Sequence, residues 1–331
     1  MKRTLINLLK FAISLLVLGY LVSNLRARDP QTFERLGQQP LRWSQLIAGW
    51  TCFSGVALGT AIRWWLGLRA AGLRYRLRTV VEVGLVAYAV SFAAFGPVGS
   101  DVVKAFLITS RQPAQRARAL ATVMIDHVIG LQCMLLFVSV AAFCVGLEGL
   151  SPGLRPWFWT MAAAALAGLV LFPLALRTER VLSALAKLPL PRSIVRRLIS
   201  SGKFLPLYRT RWPLLALAGV ASVLSMGFDV TGFYFVTRAL PGAAPTLGEQ
   251  TLIVPVAMLS GVVPLPANAL GVLDTAVSFL YRSVTAGRVA GAQGLLATML
   301  ARLFGLGTAA IGLWLYLRRR PEMSGVVVNS D

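Results

Sequence analysis

The chain has 331 residues, 56% hydrophobic and only 14% charged, with a mean hydropathy of +0.71. A soluble domain carries roughly a quarter charged residues, so the composition argues against a cytosolic enzyme and for a polytopic membrane protein. The net charge of +21, from 33 Lys and Arg against 12 Asp and Glu, does not point to nucleic acid, because the basic residues sit between apolar blocks and no basic stretch forms a module with base-stacking aromatics.

In chain order, the first apolar stretch covers residues 5–25 after Lys2 and Arg3. It resembles a signal peptide without a small-residue cleavage site, and is expected to be retained as an anchor. A polar segment from Arg26 to Arg42 follows. The second span covers 44–63, with Trp43, Trp64 and Trp65 expected at the membrane interfaces, where tryptophan is favoured.

Residues 79–110 break this pattern. A short apolar run is interrupted at Gly96-Pro97-Val98-Gly99-Ser100, and the apolar piece after it, Asp101 to Thr109, is too short to cross a core of about 30 Å at 1.5 Å per residue. Two short helices around a Gly/Pro break read as a re-entrant hairpin, which is tolerated at membrane depth only when buried in protein or lining a wet cavity.

Further spans are expected at 119–146 and 157–176, a basic cytoplasmic linker at 177–211, and a span at 213–238. Residues 250–282 repeat the earlier irregularity, broken at Pro264-Leu265-Pro266-Ala267-Asn268. The last span, 290–317, stops at Arg318-Arg319-Arg320-Pro321.

The fold expected is therefore an all-α integral membrane protein, one domain over 1–331, with about six full spans and two re-entrant hairpins. The order span, hairpin, span occurs in 44–146 and again in 213–317 from the opposite side, which is an inverted repeat. Aligning Ala121-Thr122 with Ala297-Thr298 sets Asp126 opposite Arg302. Most basic residues, Arg63 among them, fall on one side, so the positive-inside rule puts both termini in the cytoplasm of a cell inner membrane.

Cys52, Cys133 and Cys144 lie inside apolar segments and His127 is the sole histidine, so neither a disulfide framework nor a metal site is expected. No Walker A motif is present and no cofactor is expected.

Ionisable groups deep in a bilayer are costly and call for a reason. Asp101 and Lys104, spaced i, i+3, can share one face. The free amides near Gly99 and Ser100 together with Lys104 would suit a phosphate, unless Asp101 merely caps the helix and Lys104 reaches the interface. Arg302 lies far from the basic end of its span. It either meets the substrate or makes an internal ion pair, with Asp126 as the expected partner. His127 beside Asp126 offers a proton relay, since imidazole ordinarily titrates near pH 6.5, or is a packing residue. Asn268 and Asp274 mirror the first hairpin, while Glu82 and Asp229 carry less weight.

The runs FAAFGPVGSDVVKAFLITSR, RARALATVMIDHVIGL, VVPLPANALGVLDTAVSFLY and LLATMLARLFGL resemble the flippase-like membrane region of the lysylphosphatidylglycerol synthase family, over roughly residues 5–317. The specific pieces are P-x-G-x-D-x-x-[RK] in the first hairpin, the second Pro/Gly break and the Arg of the last span. Where the family usually has Glu-Arg this chain has Asp126-His127, so the acid is kept and a fixed cation becomes a titratable one. Full-length members carry a soluble aminoacyl-transfer domain. This chain ends soon after its last span, so the resemblance implies translocation of a lipid rather than its synthesis.

The expected substrate is an anionic or aminoacylated phospholipid, or a lipid-linked headgroup. A membrane-embedded transferase, with Asp101 or Asp126 as base, is the alternative. A scaffold or regulator of an envelope enzyme, docking through 177–211, is another. A homo-oligomer or an envelope-enzyme partner fits these readings.

Overall fold

The computed structural model describes residues 40–92, 96–109, 113–147, 153–177, 208–260 and 271–323, together with Ser23, Glu34 and Gln38. Among these residues there are nine α-helices and no strand. They are α1 (Trp43–Ala70), α2 (Leu77–Phe92), α3 (Gly96–Ile108), α4 (Arg116–Val145), α5 (Arg155–Arg177), α6 (Trp212–Ala239), α7 (Leu247–Leu259), α8 (Val272–Val284) and α9 (Gly291–Met323). The expected first span at 5–25, the second break at 264–268 with Asn268, and most of the 177–211 linker lie outside the described residues.

Five helices, α1, α4, α5, α6 and α9, are long and apolar enough to cross a membrane. Their outer faces are apolar as well: Phe143 is 89% exposed, and Leu166, Val170, Leu224 and Leu303 are exposed. In water such surface would be a liability, whereas in a bilayer it faces lipid. Trp43, Trp157, Trp159 and Trp212 are exposed in the first turns of their helices, as interface residues should be.

The centre of the bundle is an antiparallel pair, α1 against α6, with the most extensive contact in the molecule. Small residues let the two backbones approach. A Cβ on Gly49 would meet Val236, one on Gly55 would meet the Phe228 ring, and one on Gly59 would collide with Ser225 Oγ. Phe53 closes the layer edge-on to Phe233, ring centroids 5.5 Å apart.

The short helices wrap this pair. At 13 residues, α3, α7 and α8 are each roughly 20 Å long at 1.5 Å per residue, short of a hydrocarbon core of about 30 Å. Helix α2 packs on α3, α1 and α9, while α7 packs on α8, α6 and α4. Local chemistry sets where they start. Thr246 and Glu249 form a capping box at α7, with Glu249 N donating to Thr246 Oγ1 at 3.2 Å and Thr246 N donating to Glu249 Oε2 at 2.6 Å. Gly271, at φ 89°, turns the chain into α8, and its amide donates to Asp274 Oδ2 at 2.8 Å.

Two sequence expectations change. Helix α3 starts at Gly96, so the Gly/Pro break forms its first turn and Asp101 lies inside the helix rather than capping it. Helix α1 runs on to Ala70, because no Pro or glycine turn stops it before Gly72. Trp64 is consequently buried, donating from Nε1 to Thr122 Oγ1 at 3.2 Å, and does not mark an interface. Trp65 is likewise partly buried, donating to the Tyr75 carbonyl at 2.9 Å.

Candidate functional site

The charged residues at membrane depth form two clusters. Asp126 lies about ten residues into α4 and Arg302 about ten into α9, roughly 15 Å along each helix. The two helices start at opposite ends of the bundle. Arg118 at the start of α4 lies against the Gly72 turn after α1, and Gln293 at the start of α9 donates to the Pro241 carbonyl after α6.

In the first cluster, Asp126 is 5% exposed and accepts a two-pronged bond from Arg63 of α1, Nε to Oδ1 at 2.7 Å and Nη2 to Oδ2 at 2.9 Å. Arg63 Nη1 donates to Ser222 Oγ on α6 at 3.1 Å. The fork is the geometry that a guanidinium and a carboxylate favour. Gly130, one turn beyond Asp126, leaves it room, since a Cβ there would lie 2.5 Å from Arg63 Nη1. The neighbouring His127 turns to α3, with Nε2 2.7 Å from Asp101 Oδ2. Asp101 Oδ1 lies 3.5 Å from Lys104 Nζ, which stands 5.9 Å from the Trp64 ring centroid. Asp101 and Lys104 are mostly enclosed, whereas the His127 side chain is 53% exposed and forms the open face of the cluster.

In the second cluster, Arg302 Nη2 donates to Asp274 Oδ2 at 2.9 Å. Asp274 is fully buried, and its Oδ1 and Arg302 Nε have no hydrogen-bond partner among the described residues. Tyr88 of α2 lies in electrostatic range of both Arg302 and Asp229 of α6. Asp229 makes no ion pair among the described residues.

The structure therefore gathers Asp101, Lys104, Asp126 and His127 in one place and Asp274 with Arg302 in another. The expected Arg302–Asp126 pair does not form: Asp126 belongs to Arg63 and Arg302 to Asp274. The backbone of Gly99 and Ser100 is helical, and the Ser100 side chain is outside what the structure describes. Because α3 begins at Gly96, the amides without intrahelical partners are those of its first turn, ahead of Ser100.

Arg63, Ser222 and Tyr88 were not singled out by sequence. Arg63 was counted as an orientation charge at the end of a span. The continuing apolar run to Ala71 was the signal that it sits inside one. Among the described residues no group of three His, Cys, Asp or Glu is placed to hold a metal ion. A cavity of about 410 Å³ opens at the far end between Pro40, Arg42, Tyr234 and Arg238, and no residue of either cluster lines it.

The profile of the lysylphosphatidylglycerol synthase TM region matches residues 7–324. The chain belongs to this family. No curated protein matches it. Family membership and the apolar helices make it a multi-pass membrane protein of a lipid-related family.

Proposed function

We propose that this family member moves a phospholipid headgroup, anionic or aminoacylated, from one leaflet to the other. One observation carries the reading. On each side of the bundle, an acid on a short helix is tied to a basic side chain on the long helix that follows: Asp101 to His127, and Asp274 to Arg302. An ionisable group at mid-bilayer costs roughly 2.5–3.5 kcal/mol by insertion scales. Asp101, Lys104, Asp126, His127, Asp274 and Arg302, on short helices or on the long helices that follow them, fit a polar passage better than simple packing.

Packing supports an inverted repeat of 44–146 and 213–317. The first short helix of each unit, α2 or α7, lies on the last long helix of the other, α9 or α4. In this reading α2–α3 and α7–α8 are re-entrant hairpins, and the passage lies between the units. The excess of basic residues at the end holding Arg69, Arg116 and Arg211 supports a cytoplasmic orientation for that end.

The chemistry is exchange of ionic partners. A headgroup arriving at the exposed His127 face brings a phosphate that takes the place of the Asp101 carboxylate beside His127 and Lys104. The ammonium of an aminoacylated headgroup then has Asp101 to receive it. Arg302 offers the next phosphate contact, and Asp229 the next acid. Asp101, Asp126 and Asp274 each lie against a cation, Lys104, Arg63 and Arg302 in turn, so none is poised as a general base, and we assign the chain no covalent step.

The test is reconstitution. Fluorescent phosphatidylglycerol, its aminoacylated form and phosphatidylcholine are placed in the inner leaflet of liposomes, with an impermeant quencher outside. Faster quenching of the first two than of phosphatidylcholine is expected. Rates equal to those of empty liposomes for all three contradict the proposal.

A further inference from the structure

The basic end of the bundle holds a second arrangement that the charged clusters do not use. Gly72, at φ 81°, forms the turn after α1. Arg118 from the start of α4 and Arg211 from just before α6 converge on it. Arg118 Nη2 lies 3.2 Å and Arg211 Nη1 3.4 Å from the point a Cβ on Gly72 would occupy. Arg211 is anchored there by donating to the Arg69 carbonyl at 2.8 Å. Neither guanidinium forms an ion pair among the described residues. Two like charges brought to one point repel unless an anion joins them.

Two further donors are unpartnered among the described residues. Arg118 Nε is buried with no hydrogen-bond partner among them. Tyr208 is 0% exposed, yet its hydroxyl has no partner among the described residues either. That hydroxyl lies in electrostatic reach of Arg118, and burial pushes its titration up while the Arg118 charge pulls it partly back, so it remains a neutral donor.

We propose that Arg118, Arg211 and Tyr208 form a phosphate-binding site over the Gly72 turn, distinct from the clusters inside the bundle. Guanidinium forks and a phenol are suited to the tetrahedral oxygens of a phosphate ester. The site lies beside the exposed Trp212, at the depth where lipid headgroups end. Its ligand is a phosphate group, carried by an anionic lipid or free in solution. The inference does not depend on translocation.

The experiment uses the full chain in phosphatidylcholine nanodiscs and reads the thermal unfolding midpoint. One arm adds phosphatidylglycerol to the disc and the other adds inorganic phosphate to the buffer. Wild type should gain stability in at least one arm: a shift with phosphatidylglycerol alone assigns the site to lipid, and a shift in both shows that a free anion also fits. Half-saturation for the effective ligand should rise about tenfold or more in Arg118→Gln/Arg211→Gln, the scale of a lost charge-assisted contact. Tyr208→Phe, which removes one oxygen and keeps the ring, should give a smaller loss in the same direction. Each variant is compared with its own midpoint in ligand-free discs, so a change in basal stability does not enter. No shift in wild type in either arm, or wild-type titrations in both variants, overturns the proposal.

Discussion

Arg63 and Asp126 are the residues whose separation has the clearest cost. Removing one member of a buried ion pair leaves the other charged and unpaired, at about 3–5 kcal/mol. Arg63→Met alone is therefore expected to lower stability by about 3 kcal/mol, while Arg63→Met/Asp126→Leu recovers most of it. Chemical or thermal unfolding in micelles reads the difference, and equal losses in the single and double variants would show that the pair is not coupled. Asp274→Asn is a different case. The amide oxygen can still accept from Gly271 N, but the charge facing Arg302 is gone. Lipid transfer should fall severalfold while the protein stays folded. The sequence identified Asp101, Lys104, His127 and Arg302 from their depth in apolar runs, and the i, i+3 spacing brings Asp101 to Lys104 as expected, but the partners on other helices were not legible. A partner depends on which helices meet, and an intramembrane acid within reach of several cations carries no mark of the one it will hold.

Among the elements, the α1–α6 pair carries the sharpest packing prediction. Gly59→Leu would drive a side chain into Ser225 Oγ and the α6 backbone beside it. Overpacking a tight interface costs about 1–3 kcal/mol, and here it would also spread the seam that positions Arg63 against Ser222. A lower unfolding midpoint together with reduced transfer is expected, and a midpoint equal to wild type would contradict the close approach. At α7, Thr246→Ala removes a cap bond worth about 1 kcal/mol, a small stability loss without loss of transfer. The long helices were legible because an apolar run of span length has few alternatives. Their ends were less so: α1 passes through Arg63, Trp64 and Trp65 to Ala70 because those residues face protein rather than water. The first break was legible as Gly and Pro, but proline suits the first turn of a helix, and so α3 begins at Gly96 and not after Ser100.

For the whole molecule, composition alone separated a membrane protein from a soluble one, and the all-α architecture followed from the requirement that backbone groups be satisfied within lipid. Which long helices pair was not readable, since every span presents a similar apolar face; glycines at 49, 55 and 59 against α6 decide it. The central claim is that the two charged clusters form a passage for a lipid headgroup. It is tested most directly by quenching of inner-leaflet phosphatidylglycerol and its aminoacylated form in liposomes holding wild type, Lys104→Ala, Arg302→Ala or Trp157→Ala. Trp157 is exposed at the start of α5, away from both clusters. The account predicts that wild type and Trp157→Ala expose these lipids at similar rates and that Lys104→Ala and Arg302→Ala fall toward empty liposomes. Wild-type rates in the two cluster variants would contradict it.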